Sequence, residues 1–246
     1  MLSSTWTPRA VASRASTASA RLWRAVEAQH IAATLRLVDN LEEQRLLEDI
    51  LEATKPPIPA AAKKLHYLLF TPFRYPPRHG SRFRSVDDPG VFYGADSVRT
   101  ACAELGYWRW RFLTESQGLT VLGPAQQTLF QVAVKTHAVD LQKPPFARDA
   151  QQWHDPNDYR VTQAFAKTAR EAGIGLIRYR SVRDPAPGSC GAVLKPEAFS
   201  STKPAAPTQT WLLTVTQEFA IWQRDREALE FDMHRWARRS DKKSVK

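Results

Sequence analysis

Arg74, Tyr75, Arg82, Tyr93 and Glu104 fall within one short stretch, Phe73 to Glu104, FRYPPRHGSRFRSVDDPGVFYGADSVRTACAE. Guanidinium groups take phosphate oxygens in a planar, bidentate geometry. Tyrosine offers a flat face for a heteroaromatic base and a hydroxyl at its tip. A carboxylate beside a ribose can hold a sugar hydroxyl and stabilise positive charge developing on the ring, as in glycoside cleavage. The set therefore suits a ligand with both anionic and aromatic parts. Taken singly, each residue has a plainer account, since an arginine in a loop is commonly just solvated.

The elements that must position these residues are legible in outline. Leu65 to Phe70 is a short apolar run read as a strand leading into Arg74. Gly80 and the Asp88-Pro89-Gly90 turn bracket a loop expected to bring Arg82 near Arg74. Val91-Phe92-Tyr93 reads as a strand, and Asp96-Ser97 as the cap of a helix from Val98 to Phe112. On that helix Ala101, Leu105 and Trp108 share one face, read as core, with Glu104 beside it. A half-buried carboxylate needs a partner or a task.

Upstream, Ala18 to Lys55 reads as helix with a break at Asp39-Asn40. There Asn40 and Glu43 stand at capping-box spacing, and Pro56-Pro57 ends the segment. Thr128 to Leu141 alternates as a strand or hairpin, with His137 read as structural. A helix is expected from Asn157 or Asp158 to Ala172, closed by Gly173. Trp153 and His154 beside it are read as packing residues. Leu176 to Val182, Val193-Leu194, Trp211 to Val215 and Phe219 to Trp222 give a β-rich second half. The division expected is a basic lead-in and helical segment over 1–60, then one domain over 61–246 with a basic tail.

The 246 residues are 43% hydrophobic and include eight tryptophans, enough for a sizeable core and against disorder throughout. Cys102 and Cys190 lack metal-ligand spacing and read as buried free thiols, which fits a reducing cytoplasm; no metal is expected. No apolar run approaches the ~20 residues that span a bilayer. The first acidic residue is Glu27, after Arg9, Arg14, Arg21 and Arg24. That composition would suit a transit peptide, but a flexible basic lead-in is preferred. A net charge of +10 points to nucleic acid, an acidic partner or an anionic ligand.

The motifs also carry a resemblance. R-Y, then G-x-R-F, then F-Y-G with Tyr93 eleven residues after Arg82, then A-x-A-E with Glu104 eleven residues further on, resembles the RES domain family. That family is named for an arginine, a glutamate and a serine. Ile177 to Asp184, IRYRSVRD, supplies Ser181 as the counterpart of the serine. The chain departs from the family's pattern at Arg84, where a small amide is common, and over Cys190 to Pro196.

The resemblance implies an α+β fold: a split, curved sheet similar to ADP-ribosyltransferases, with flanking helices and here an N-terminal helical segment. It also implies a toxin of a bacterial toxin–antitoxin pair that consumes NAD as substrate. The expected catalytic set is Glu104, Ser181 and Arg74, with Tyr75, Arg82 and Tyr93 binding the ligand. Arg74 and Arg82 would hold the diphosphate, and Tyr75 and Tyr93 would flank a ring or ribose. Glu104 would stabilise the cationic sugar while Ser181 orients it or holds a ligand hydroxyl. The expected partner is a cognate antitoxin covering the cleft, through which any DNA contact would run. Two alternatives stay open: a protein ADP-ribosyltransferase on the same fold, and a non-catalytic basic protein that grips nucleic acid.

Overall fold

The computed structural model describes residues 6–28, 38–75, 79–186 and 188–236. Among them are six helices: α1 (Pro8–Ala12), α2 (Leu41–Thr54), α3 (Tyr67–Arg74), α4 (Val98–Glu115), α5 (Ala150–Trp153) and α6 (Arg160–Glu171). The strands are β1 (Ser16–Glu27), β2 (Phe92–Ala95), β3 (Val121–Asp140), β4 (Leu176–Arg180), β5 (Ser189–Val193), β6 (Ala205–Thr216), β7 (Phe219–Arg224) and β8 (Glu227–Asp232). The chain is α+β, with a large mixed sheet flanked by helices, as expected.

The sheet runs β1-β2-β5-β4-β3-β6-β7-β8, and β1 pairs with β3 as well. Five strands therefore close into a ring, β1-β2-β5-β4-β3, from which β6, β7 and β8 extend as an antiparallel meander. β3 is long enough to serve both. Its first half lies against β6, while Ala138, Val139 and Asp140 run parallel to β4. On its other side β3 pairs with β1 all the way from Ser16–Ala138 to Glu27–Gln127. Closure is thinnest between β1 and β2, where Trp23 opposite Ala95 is the one pair.

The strand β1 corrects the helix expected from Ala18. Ala18, Ala20 and Leu22 alternate with Thr17, Ser19 and Arg21, a period of two that fits a strand. Their small apolar side chains join Phe92, Phe130, Val132, Leu176 and Val193 in one cluster. Alanine favours helix in isolation, but β3 offers a continuous ladder, and pairing overrides propensity. Residues 16–27 of the expected N-terminal segment are thus built into the sheet. The later part of the expected helix stands as α2. Asn40 Oδ1 accepts from the N–H groups of Glu42 (3.0 Å) and Glu43 (2.9 Å), and Glu43 accepts in return from Asp39 N (2.9 Å). Ile31 and Leu35, read as part of the same helix, lie outside the described residues, as does the basic tail from residue 237.

Two glycines allow the ring its tight closure. A Cβ on Gly94 would lie 2.8 Å from Leu22 Cβ, and one on Gly191 2.8 Å from Leu22 Cδ1. The same leucine crowds both positions, at its fixed Cβ for Gly94 and at its flexible end for Gly191.

Leu65 to Phe70 is not a strand. α3 starts after His66, whose Nδ1 accepts from Leu68 N (3.3 Å). Leu68, Leu69 and Phe73 then share a helical face that packs on the Leu22 cluster, joined by Leu65 just before the helix. The run was too short for its period to separate the two forms. On the meander side, α4 carries Tyr107 and Leu113 against Trp211, Leu213, Val215 and Trp222. Its N-cap is Ser97, as read, with Oγ accepting from Thr100 N (3.1 Å). α6 packs Phe165, Ala166 and Ala169 against Phe83, Ile177 and Tyr179. No helix among the described residues is long and apolar enough to cross a membrane.

Candidate active site

Between α4, β1, β2 and the loop Gly80–Arg84 lies a cavity of about 230 Å³. Its lining includes Trp23, Arg24, Arg82, Tyr93, Glu104, Trp108, Tyr159, Tyr179, Arg183 and Cys190. Three of the expected site residues, Arg82, Tyr93 and Glu104, thus meet at one cavity, and a fourth, Ser181, bonds to Glu104.

Glu104 sits on α4 where Ala101, Leu105 and Trp108 mark one face. That face was read as core. Ala101 and Leu105 do pack in the core, but all three also line the cavity, with Trp108 42% exposed at its rim. Periodicity reports that a face is apolar, not whether protein or ligand covers it. Ser181 Oγ donates to Glu104 Oε1 at 2.6 Å. The same Oγ accepts from Arg183 N (3.1 Å) and Asp184 N (3.0 Å). With its lone pairs taken by two backbone donors, the hydroxyl proton is committed to the glutamate. Cys190 Sγ stands 3.8 Å from the same Oε1. Burial pushes that thiol well above the ordinary cysteine range, and Glu104 adds to the effect. Cys102 is buried and free like Cys190, as expected of both.

Arg82 and Arg74 are equally buried, each 8% exposed, and only their partners separate them. Arg82 Nη1 donates to Trp153 O (2.8 Å), its guanidinium lies 4.8 Å from the Tyr159 ring centre, and its buried Nη2 has no partner among the described residues. A buried donor without an acceptor is costly, so this residue is set to meet a ligand. Arg74 is engaged elsewhere. Its Nε donates to Pro56 O (2.7 Å) and its Nη2 pairs with Glu52 Oε1 (2.6 Å), tying α3 to the end of α2. Neither Arg74 nor Tyr75 lines the cavity. Their expected places at the site are corrected: the Arg74 side chain is spent on the linker, and Tyr75 lies against it, 5.6 Å from guanidinium to ring centre.

Tyr93 lines the cavity, but its hydroxyl is used inward. It meets Ser81 Oγ at 2.7 Å and accepts from Phe83 N at 3.0 Å, which pins the Arg82 loop to β2. Burial pushes the phenol above its ordinary range. Arg84, the departure from the family pattern, is a second pin. It donates to Asp88 O (3.0 Å) and Val86 O (2.7 Å), while Gln163 on α6 donates to Ser81 O (2.9 Å) and Arg84 O (3.1 Å). Trp153 and His154 stay outside the lining, and Trp153 is a packing residue as read.

The sequence reading missed Arg24, Tyr159 and Arg183. Arg24 Nη1 donates to Tyr93 O (2.9 Å), and its guanidinium stands 4.7 Å from the Phe92 ring centre. Burial of that group lowers it from the usual arginine range to about 10, although the residue as a whole is only half-buried. The faint alternation in residues 17–22 is a strand signal for β1, but nothing in the sequence places Arg24 next to Tyr93. Arg183 lies over the Tyr107 ring at 3.4 Å and donates to Tyr159 Oη (3.1 Å). It follows Ser181 by two residues and was legible only as part of the serine segment. With Arg24, Arg82 and Arg183 against Glu104, the cavity's formal charge is +3 − 1 = +2. Among the described residues no three His, Cys, Asp or Glu side chains are grouped to hold a metal.

Comparison with known proteins identifies a family and finds matches among solved structures. The RES domain matches residues 58–216 of this chain. No curated protein sequence matches it. A chain of the solved M. tuberculosis MbcT–MbcA toxin–antitoxin complex superposes with a TM-score of 0.44 at 15% identity, covering 95% of this chain and 96% of that one. The matched range holds Arg82, Tyr93, Glu104, Ser181 and Arg183; it leaves out Arg24 and everything after β6.

Proposed function

The chain belongs to the RES domain family, and from that premise we propose that it is the toxin of a toxin–antitoxin pair that consumes NAD by cleaving its nicotinamide–ribose bond. The observation that carries the reading is Glu104, held by Ser181 in a cavity that also presents Arg24, Arg82 and Arg183. A diphosphate brings two negative charges to a lining of formal charge +2, and Arg82 Nη2 is free to take one of its oxygens. The rings of Trp23, Trp108 and Tyr159 offer flat faces to the two bases.

In the reaction the bond between ribose C1′ and the pyridinium nitrogen breaks, and its electron pair leaves with nicotinamide, cancelling the ring's positive charge. Positive charge then develops on C1′ and the ring oxygen of the ribose. The Glu104 carboxylate stabilises that charge, an interaction stronger in the transition state than in the bound substrate. Water adds to C1′ and releases a proton, giving ADP-ribose. Ser181 acts through Glu104, fixing its rotamer, and Tyr93 acts through the Arg82 loop. The partner is an antitoxin that shields the cavity mouth, in the cytoplasm where NAD is available.

Glu104→Gln tests the assignment. It keeps shape and removes charge, so turnover of NAD should fall by about 10²–10³ while NAD binding and melting temperature stay close to the parent protein. Release of nicotinamide and of ADP-ribose is followed together on purified protein. ADP-ribose retained on protein instead of free in solution would make the chain a protein ADP-ribosyltransferase. Normal turnover in the variant removes Glu104 from the chemistry.

A further inference from the structure

The matched domain ends at residue 216, yet a side chain twenty residues further on reaches the serine loop. Trp236, 2% exposed, donates from Nε1 to Arg183 O at 2.7 Å. Arg183 N is one of the two donors to Ser181 Oγ, so the indole holds the peptide next to the one that orients the hydroxyl. The indole is itself fixed by the meander. It lies 6.3 Å from Phe231 of β8, nearly parallel, and 5.4 Å edge-on to Tyr107, the ring over which Arg183 is placed. From the opposite side α4 secures the next residue, with Thr100 Oγ1 donating to Asp184 Oδ2 at 2.8 Å and Arg99 pairing with Asp184 Oδ1 at 3.4 Å.

We infer that Trp236 is a positioning residue, and that the β7–β8 meander beyond the matched domain serves to hold the Ser181–Arg183 loop in register with Glu104. The physical grounds are specific. Residues 181–184 lie past the end of β4, beyond the Ser181 N to Gly188 O bond (2.8 Å), in a bend and not a strand ladder. A loop of that kind keeps a side chain within tenths of an ångström only where side chains over-determine it. Here the side chains that do so include Trp236 on the Arg183 carbonyl, Thr100 and Arg99 on the Asp184 carboxylate, and Ser181 on both amides. Without the indole bond a buried carbonyl loses its donor, and the loop can rotate the hydroxyl away from Glu104.

The inference rests on the proposed NAD reaction for its rate consequence, but not for its structural one. Trp236→Phe keeps an aromatic ring in the cluster and removes only the N–H donor and some ring area. Trp222→Phe is the matched control: Trp222 is fully buried in the same cluster, and its Nε1 has no partner among the described residues. Both variants should lose some thermal stability. Hydrogen exchange at the amides of Arg183 and Asp184 should accelerate about tenfold or more in Trp236→Phe and stay unchanged in Trp222→Phe. NAD turnover should fall about ten- to a hundredfold in Trp236→Phe with little change in KM, since a misplaced catalytic contact costs rate more than binding. Thr100→Val, which loses the bond to Asp184 from the other side, should repeat the exchange effect and serves if Trp236→Phe does not fold. Unchanged exchange at both amides, or equal acceleration in the Trp222 control, overturns the inference. Altered exchange in a protein whose parent form leaves NAD intact keeps the clamp and sinks the reaction instead.

Discussion

At the scale of single residues, burial alone is a poor guide to role. Arg74 and Arg82 are alike in type and exposure, and both lie in the same short stretch. What separates them is where the buried donors go. Arg74 spends its Nε and Nη2 on Pro56 and Glu52, while Arg82 leaves its buried Nη2 without a partner among the described residues. Arg82→Ala should therefore weaken NAD binding by about 1.5–3 kcal/mol, the range for a charge-assisted bond, with little loss of stability beyond the contact to Trp153. Arg74→Ala should do the reverse, lowering the melting temperature and leaving affinity at the parent value. Calorimetric titration and thermal melts on the two variants settle both statements, and a loss of affinity in Arg74→Ala would return that residue to the site. Glu104 was legible in advance because its neighbours on the helix were apolar and it was not. Arg24 was not, since nothing near it in sequence carries chemistry, and its partner Tyr93 comes from a strand far along the chain.

Among the elements, helices with strong caps were readable and β1 was not. Ser97 and Asn40 each bond the first-turn amides, a local matter that short-range pattern can encode. The state of β1 is decided by β3, a hundred residues later, and alternation in alanine and serine is too faint a signal to compete with helical propensity. α3 fails for the converse reason: its few apolar residues suit either form until the Leu22 cluster selects one face. The ring itself depends on how closely β1, β2 and β5 approach around Leu22. Gly94→Ala would put a methyl group 2.8 Å from Leu22 Cβ and 3.1 Å from the Trp23 carbonyl, neither of which can swing aside. An overpacking cost of about 1–3 kcal/mol is expected, read from denaturant unfolding. Gly191→Ala meets only the flexible ends of Leu22 and Leu176 and should cost less. An equal cost at the two sites would mean that the strands shift as a unit.

For the molecule as a whole, the family match and the folded body are not the same length of chain. Residues 58–216 hold most of the cavity, but β1 closes the ring and Trp236 secures the serine loop. A chain cut to 58–216 should show no cooperative thermal transition, because β3 would present an unpaired edge along most of its length. A sharp melt by near-ultraviolet circular dichroism would show that the ring is dispensable. The closure of that ring has one more consequence. Parting most neighbouring strands breaks several backbone bonds at about 0.5–1.5 kcal/mol each, but parting β1 from β2 frees only the single pair at Trp23 and Ala95. The cavity wall thus has a clasp, and the clasp lies beside Arg24, whose side chain reaches across it to the Tyr93 carbonyl. Arg24 Nε is buried beside that bridge without a partner among the described residues, so the residue that fastens the wall also has a donor to offer an anion. Ligand charge and the fastening of the wall therefore meet in one side chain.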